Sequence, residues 1–191
     1  MAAAEDEGGD AYVLACLLAL NGLRVSEACG ADITDLGGAR YQPTLRVLGK
    51  GDKPAEVVLN ARTQQVVLEA VDGRRAGPLL RNQWRRRTSP HNAAAIVHRL
   101  GRAAGIGRRM TPHALRRSYI TIGLLQGVGL RDVQRAARHS KADTTVGYDQ
   151  SERSFQKDPT FVLMTATARY DGHRALTLRS RRCRRSPVSG V

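Results

Sequence analysis

The sequence predicts a mainly helical α+β fold with one small antiparallel sheet of two or three strands. Three observations lead to this prediction. Apolar residues recur with helical spacing in several segments that begin with a capping residue. Two short strand-like runs, residues 44–48 and 55–59, flank a glycine-rich turn. The length of 191 residues, 41% of them apolar, suffices for one sizeable core and a tail.

The first part of the chain predicts a disordered start followed by two helices. Residues 1–10 are small and acidic, and we expect them to be disordered. Asp10 is placed to cap a helix over residues 11–20, which carries several leucines. An Asn-Gly pair then predicts a break before a second, short helix over residues 23–29.

The sheet is predicted from the turn between its strands. A Gly-Lys-Gly sequence centred on Lys50 lies between the two strand-like runs, as is typical of a β-hairpin. Residues 77–81 predict a third short strand. We therefore expect Lys50 at the tip of a hairpin.

Two helices are predicted after the hairpin. The first covers residues 61–71 and is ended by an Asp-Gly pair. The second covers residues 90–103, because Ser89 is a typical N-cap and the proline after it suits the first helical position. Its predicted buried face consists of Ala94, Val97, Leu100 and Gly101.

The second half of the chain continues as helices. Thr111 followed by a proline repeats the same start signal for a helix over residues 112–125, and residues 131–138 predict another. A short helix is expected over residues 144–150, and an apolar helix over residues 161–168.

The charge of the chain indicates a polyanionic partner. Lys and Arg number 31 against 17 Asp and Glu, a net charge of +14, and arginine is the more suited of the two to phosphate. Alternatively, an arginine outside a motif reflects only a GC-rich genome, which encodes arginine where lysine would serve equally well. Residues 169–191 hold seven arginines and one aspartate, and we expect a disordered basic tail. This tail is either an arm that binds the polyanionic partner or a frameshifted end.

Other features argue against several protein classes. No apolar run approaches the roughly 18–20 residues of a membrane span, and the acidic start is unlike a secretory signal. We therefore expect a cytoplasmic protein with no membrane contact. The three cysteines, Cys16, Cys29 and Cys183, form no C-x-x-C pair, which argues against a disulfide framework or a zinc site.

Four motifs follow one another along about 130 residues. They are GLRVSE at residues 22–27, VLGKGDK at 47–53, TPHALRRSY at 111–119 and ARHSKADTTVGY at 137–148. Through these motifs the sequence resembles the catalytic domain of the tyrosine recombinases, the phage-integrase family. The resemblance implies that domain's fold, and a function in site-specific DNA recombination and DNA integration.

The resemblance also implies a nucleophile and two phosphate-binding arginines. Tyr148 matches the tyrosine that attacks a scissile phosphate, forms a 3′-phosphotyrosyl bond and releases a 5′-hydroxyl. Arg24 and Arg116 match the arginines that hold the non-bridging oxygens, where the transition state concentrates negative charge. Tyr119 is a rival aromatic residue, which we expect in the core.

Four further residues complete the site implied by the resemblance. His113 and His139 match groups that donate hydrogen bonds or move the tyrosine proton. Lys50 matches the general acid that protonates the 5′-oxygen, with Lys53 as its nearest competitor. Glu27 matches an acidic residue that orients the site. No metal ion and no cofactor is implied, because the covalent bond stores the phosphodiester energy.

Two departures from the family pattern stand out. The family usually has glycine just before the second histidine, where this chain has Arg138, a side chain that either alters the turn or contacts phosphate. Family members also usually carry an N-terminal core-binding domain, for which the early position of the first motif leaves no room. Three explanations of the early motif stay open: the chain is a gene fragment, its start is misassigned, or it is a stand-alone catalytic half. The expected divisions are a disordered start (1–10), a truncated catalytic domain (11–168) and a tail (169–191).

The implied partner is double-stranded DNA, bound by a homo-oligomer (a tetramer on DNA) associated with the nucleoid. The helix over residues 161–168 packs either on a neighbouring protomer or on its own core. The main alternative function is a truncated, non-catalytic DNA-binding remnant of an integrase. A type IB topoisomerase ranks lower, because those enzymes lack a second histidine followed by tyrosine at nine residues, as His139 and Tyr148 are here.

Overall fold

The computed structural model describes residues 1–39, 42–49 and 51–138 of the chain. Over these residues it confirms the predicted fold class, with helices around one three-stranded antiparallel sheet. The helices are α1 (Ala2–Glu7), α2 (Gly9–Ala19), α3 (Val25–Gly30), α4 (Ala61–Val71), α5 (Pro90–Ala103), α6 (Pro112–Leu125) and α7 (Leu130–Ala136). The strands are β1 (Leu36–Ala39), β2 (Gln42–Leu48) and β3 (Pro54–Val58).

The start of the chain is helical, where the sequence predicted disorder over residues 1–10. Ala4 of α1 is buried in the core. Two acidic residues of α1 bind arginines on other helices: Glu5 pairs with Arg62 of α4 at 2.5 Å, and Glu7 pairs with Arg99 of α5. The small, acidic composition that suggested disorder therefore serves to pack this helix and pair its charges.

Helix α2 runs through the middle of the core. All its residues from 11 to 18 are buried, so the helix is covered on every side rather than along one stripe. Helices α4 and α6 pack against it. Each fully buried leucine of α2 contributes about 1.5–3 kcal/mol to folding.

The start of α2 also differs from its prediction. The helix begins at Gly9, so Asp10 lies inside the first turn and is not the cap. Instead, the Asp10 carboxylate accepts a hydrogen bond from the backbone N–H of Arg81 at 2.7 Å. Asp10 therefore ties the core helix to the segment before α5.

The sheet has the order β1-β2-β3. In its register Leu45 of β2 lies opposite Leu36 of β1 and Val57 of β3. Leu45, Val47 and Val57 are buried, whereas the alternate positions of β2 and β3 are more exposed. One face of the sheet therefore covers the core.

The third strand is not the one that the sequence predicted. Residues 77–81 form no strand and pair through isolated bridges, between Asp32 and Pro78 and between Arg81 and Arg87. The third strand is β1, whose sequence Leu-Gly-Gly-Ala has little intrinsic strand preference. Its pairing with β2 decides its conformation, which the local pattern does not reveal.

The capping signals located the later helices well. The bounds predicted for α4, α5 and α6 are confirmed, and each begins with a side-chain cap, from Asn60, Ser89 and Thr111 respectively. The buried face of α5 has Ala93 where Ala94 was predicted. Helix α7 ends at Ala136, two residues earlier than predicted.

No helix among the described residues is both long and apolar enough to cross a membrane. The helices predicted over residues 144–150 and 161–168, and the basic tail over 169–191, lie outside the described residues.

Candidate active site

Helix α3 begins with a charged pair. Arg24 occupies the N-cap position, and Glu27, one turn later, is buried with 2% of its surface exposed. The Glu27 carboxylate accepts hydrogen bonds from the backbone N–H and from Nη1 of Arg24, each at 2.7 Å. A carboxylate at this position satisfies a free N–H at the helix start. The Arg-x-x-Glu sequence therefore begins the helix and also holds the Arg24 guanidinium.

Asn21 and Gly22, the Asn-Gly pair of the sequence, fix the loop before α3. Asn21 is buried; its Nδ2 donates to the carbonyl of Val58 (2.8 Å) and its Oδ1 accepts from the hydroxyl of Thr63 (2.7 Å). Gly22 has φ +64°, and a Cβ there would clash with the ring of Tyr119. Glycine is required because it adopts this conformation and leaves room for the ring. Tyr119 thus packs against the loop, as its predicted role in the core implies.

Helix α6 carries His113 and Arg116 one turn apart. Arg116 is buried, with 4% of its surface exposed. Its Nη1 donates to the carbonyl of Gly22, and its Nη2 donates to the carbonyl of Ala137. His113 lies in the first turn of the helix and is exposed. Arg116 therefore bridges the loop before α3 and the end of α7.

Arg24 and Arg116 meet at consecutive backbone carbonyls. Arg116 donates to the carbonyl of Ala137, and Nη2 of Arg24 donates to the carbonyl of Arg138 at 2.8 Å. The last carbonyls of a helix need such partners, because they have none within the helix. The residues that carry the two carbonyls, Ala137 and Arg138, directly precede His139 in the chain. The end of α7 thus positions both arginines.

Glu27 is shared between two guanidinium groups. Besides Arg24 it binds Arg138, whose Nη2 lies 2.6 Å from Oε2. Burial by itself would raise the pKa of Glu27, but the hydrogen bonds from Arg138 and Arg24 outweigh it and hold the pKa below the ordinary value of 4.5. The carboxylate is therefore ionised at neutral pH. With Arg116, which binds the carbonyl of the neighbouring Ala137, the cluster holds three guanidinium groups and one carboxylate, so it is cationic.

The hairpin turn between β2 and β3 approaches this cluster. The N–H of Gly49 donates to the carbonyl of Lys53 at 2.8 Å, and a Cβ on Gly49 would lie 4.0 Å from Oε1 of Glu27. Lys50, the predicted general acid, is the next residue of the chain and lies outside the described residues. Lys53, its competitor, is described and is exposed.

Four of the seven predicted site residues are described. The structure joins Arg24, Glu27 and Arg116 around the end of α7, and His113 lies on the same helix as Arg116. The other three, Lys50, His139 and Tyr148, lie outside the described residues.

Sequence reasoning missed the roles of two residues, one in this cluster and one in the loop before α3. Arg138 was seen as a departure from a glycine but not as a partner of Glu27. Asn21 was seen as a helix break, whereas its side chain ties the loop to β3 and α4. For Arg138 the available signal was a large basic side chain at a position next to a motif histidine.

This arrangement can bind an oxyanion. The side chain of Arg24 is 31% exposed. Within the part of the chain that the structure describes, its bonds to Glu27 and to the carbonyl of Arg138 occupy two of the five N–H groups of the guanidinium. Fixed guanidinium groups beside a partly enclosed surface stabilise anionic oxygens, because they need no reorganisation when charge develops.

Known proteins resemble this chain in sequence and in fold. Residues 1–154 match the model of the phage integrase family. Tyrosine recombinase XerC of Mycobacterium sp. (strain KMS) is 39% identical over 140 residues, which cover 69% of this chain and 46% of the relative. The chain thus spans about half the length of the curated relatives it matches.

Two solved structures share the fold. A XerA recombinase crystal structure aligns with a TM-score of 0.67 at 23% identity, covering 87% of this chain and 58% of that one. A XerH site-specific recombinase bound to a palindromic difH substrate, in a post-cleavage complex, aligns with a TM-score of 0.65 at 24% identity; the match covers 77% of this chain and 44% of that one.

Proposed function

The chain belongs to the phage integrase family, and on that premise we propose that it cuts and rejoins double-stranded DNA at specific sites through a covalent tyrosyl phosphate. The observation that best supports this is the anchoring of Arg24 and Arg116 on consecutive carbonyls beside the buried Glu27. Two guanidinium groups held this way suit one phosphate that carries growing negative charge.

The proposed reaction exchanges one phosphate ester for another. The hydroxyl oxygen of Tyr148 attacks the scissile phosphorus, a P–O bond to tyrosine forms, and the bond to the 5′-oxygen breaks. The tyrosine loses its proton and the 5′-oxygen gains one. In rejoining, a 5′-hydroxyl attacks the tyrosyl phosphate, and the proton returns to tyrosine. Because the bonds exchanged are alike, no external energy source is needed.

Each remaining residue has a proposed role in proton transfer or phosphate binding. Lys50 supplies the proton to the 5′-oxygen, which is a poor leaving group when unprotonated. His113 and His139 donate hydrogen bonds to the phosphate or accept the proton of Tyr148. Glu27 orients Arg24, as its two contacts with that residue support.

The proposed assembly is a homo-oligomer on DNA, a tetramer in which paired sites are cut and exchanged. The net charge of +14 supports a DNA partner, because cationic side chains replace counterions along the phosphate backbone. The proposed place of action is the nucleoid, where chromosomal DNA is found. Crosslinking on duplex DNA followed by mass analysis tests the number of chains.

A covalent trap tests the proposed chemistry. The full chain is incubated with a pool of nicked suicide duplexes of randomised sequence, in which the cut fragment diffuses away, and adducts are separated on a denaturing gel. We expect an adduct with the parent chain and none with Tyr148→Phe, which lacks the attacking oxygen. Retardation on a native gel without an adduct would instead support a non-catalytic DNA-binding remnant.

A further inference from the structure

Arg138 has a backbone conformation that favours glycine. It follows the C-cap residue of α7, Ala137, and has φ +52°, in the left-handed region. Its N–H donates to the carbonyl of Arg135 at 3.0 Å, which closes the helix end. Glycine is the common residue at such a position, because a side chain is strained there. A large side chain here therefore needs a compensating contact.

The side chain of Arg138 supplies that contact by folding back onto the site. Its Nη2 donates to Oε2 of Glu27 at 2.6 Å, and its Nη1 donates to the carbonyl of Ala136 at 3.0 Å. Only 14% of the side chain is exposed. Its own carbonyl accepts from Nη2 of Arg24 at 2.8 Å. The two ends of Arg138 thus bind both members of the Arg24–Glu27 pair.

We propose that Arg138 is a positioning residue that holds Glu27 and, through it, the guanidinium of Arg24 in the geometry that binds phosphate. This inference rests on the proposed function, because it gives Arg24 a phosphate to bind. Among the residues that the structure describes, the guanidinium of Arg138 binds Glu27 and a carbonyl of its own helix, so it acts through the carboxylate rather than on the DNA.

The physical reason is the number of donors around one carboxylate. Bound by Arg24 alone, Glu27 would have two donors, both from one residue and both on the α3 side. Arg138 adds a charge-assisted bond from the opposite element, the end of α7. The carboxylate is thereby fixed from two sides, and the third cation makes the cluster more attractive to phosphate.

The test compares variants of the full chain at this position. Arg138→Gly removes the guanidinium and gives the left-handed backbone its preferred residue, so the fold is retained. Arg138→Lys keeps the charge but not the planar fork. Asp72→Gly is the matched control, because Asp72 is another non-glycine residue with left-handed φ (+48°) at a helix end, that of α4.

The first readout is the titration of Glu27 in the DNA-free protein, followed by carboxyl ¹³C NMR. Of the residues whose structure is described, Arg24 of α3 and Arg138 after α7 face Glu27, and Asp32, Asp35 and Arg46 line the same cavity of about 300 Å³. Since Arg138 lowers the pKa of Glu27, Arg138→Gly should raise it, Arg138→Lys should raise it less, and Asp72→Gly should leave it unchanged.

The second readout is the rate of adduct formation on the suicide duplexes. We expect Arg138→Gly to slow it about 10- to 100-fold, the range for one hydrogen bond to a charged group. The melting temperature should change little, because the relief of strain at the left-handed backbone offsets the lost ion pair. The acid limb of the rate–pH profile should move to higher pH. A role limited to ending α7 would leave the titration and the rate unchanged.

The outcomes separate this inference from the proposed function. If the parent forms adducts but Arg138→Gly titrates and cleaves like the parent, the positioning role is wrong and the proposed function stands. If the parent forms no adduct on any duplex, the proposed function fails. In that case the titration alone tests whether Arg138 positions Glu27. A raised Glu27 pKa in Arg138→Gly supports that role, and an unchanged pKa rejects it.

Discussion

At the scale of single residues, the candidate site depends on one buried carboxylate. Glu27 accepts bonds from Arg24 and Arg138 and is almost fully enclosed. Removing the carboxylate leaves both guanidinium groups without their counter-charge, which costs more than the interaction itself contributes. The same charged groups therefore stabilise the fold and form the candidate anion-binding site.

We predict that Glu27→Gln destabilises the fold by about 3 kcal/mol, because Arg24 and Arg138 lose their counter-charge. Urea denaturation at pH 7 measures this. Asp132→Asn is the control: Asp132 pairs with Arg135 at 3.3 Å on the surface, where such pairs contribute about 0–1 kcal/mol. Equal losses in the two variants would contradict the prediction.

The stability conferred by Glu27 also has a pH dependence of known sign. Its folded-state pKa lies below the ordinary value of 4.5, so the folded protein binds the proton less readily than the unfolded chain. The contribution is fully present above pH 4.5 and is lost as the pH falls below it toward the folded-state pKa. Glu27→Gln should lose less stability than the parent over that interval, in melting curves recorded from pH 6 to pH 3.

A further prediction concerns Gly22, the first residue of the first arginine motif. Gly22→Ala adds both a strained φ and a clash with Tyr119, whereas Gly105→Ala adds only the strain, since φ is +70° there and its Cβ would meet nothing. We expect Gly105→Ala to cost about 1 kcal/mol and Gly22→Ala about 1–3 kcal/mol more. Similar denaturation midpoints for the two would show that the Tyr119 ring moves aside freely.

At the scale of elements, the later helices were predicted from chemistry that acts within a few residues. Ser89 and Thr111 each accept a bond from a backbone N–H three residues later, and a proline follows each. The bounds of α5 and α6 could be predicted because these signals are local. Strand β1 could not, since its Leu-Gly-Gly-Ala sequence becomes a strand only through pairing with β2.

The same distinction holds for the site. The family resemblance implied that Arg24, Glu27 and Arg116 belong to one site. In the structure Arg24 binds Glu27, and both arginines bind carbonyls at the end of α7. The role of Arg138 could not be predicted, because its partner Glu27 lies 111 positions away. Helix α1 was missed for a similar reason: its acidic residues become structural only when α4 and α5 present arginines to them.

We predict that Thr111→Ala destabilises the protein by about 1 kcal/mol, because α6 loses the side-chain cap that accepts from the N–H of Ala114 at 3.2 Å. Thr111→Ser keeps a hydroxyl and should retain most of that stability. The helix carries His113 and Arg116, so its first turn matters to the site. Guanidinium denaturation of the two variants is the measurement, and equal midpoints would rule out the cap as the cause.

At the scale of the whole molecule, one core joins the helices to the sheet. Helix α2, the buried face of the sheet and the inner faces of α4 and α5 form a single apolar cluster, and a smaller cluster lies where α6 meets α7. Two thiols lie in the main cluster, Cys16 of α2 and Cys29 of α3. They report on whether distant parts of the core open together.

We predict that both thiols resist alkylation in the folded protein. Burial raises the pKa of Cys16 and that of Cys29 to about 11, so at pH 8 about one thiol in a thousand is ionised, and neither is accessible. Iodoacetamide labelling in rising urea, followed by peptide mass mapping, should modify both at the global transition. Earlier labelling of Cys29 would reveal local opening of α3, the helix that Arg24 begins.

The hydrogen bonds that assemble the candidate site join parts of the chain that are synthesised far apart in time. Gly22 and Arg116 are separated by 94 positions, and Arg24 and Arg138 by 114. A contact that closes so large a loop stabilises the chain only after both of its ends exist. On the ribosome, Arg24 therefore emerges long before the carbonyl that holds it. A polypeptide released before residue 138 would carry the first arginine motif without the carbonyl at the end of α7 that binds the Arg24 guanidinium, so residue 138 must be translated before the proposed phosphate site can assemble.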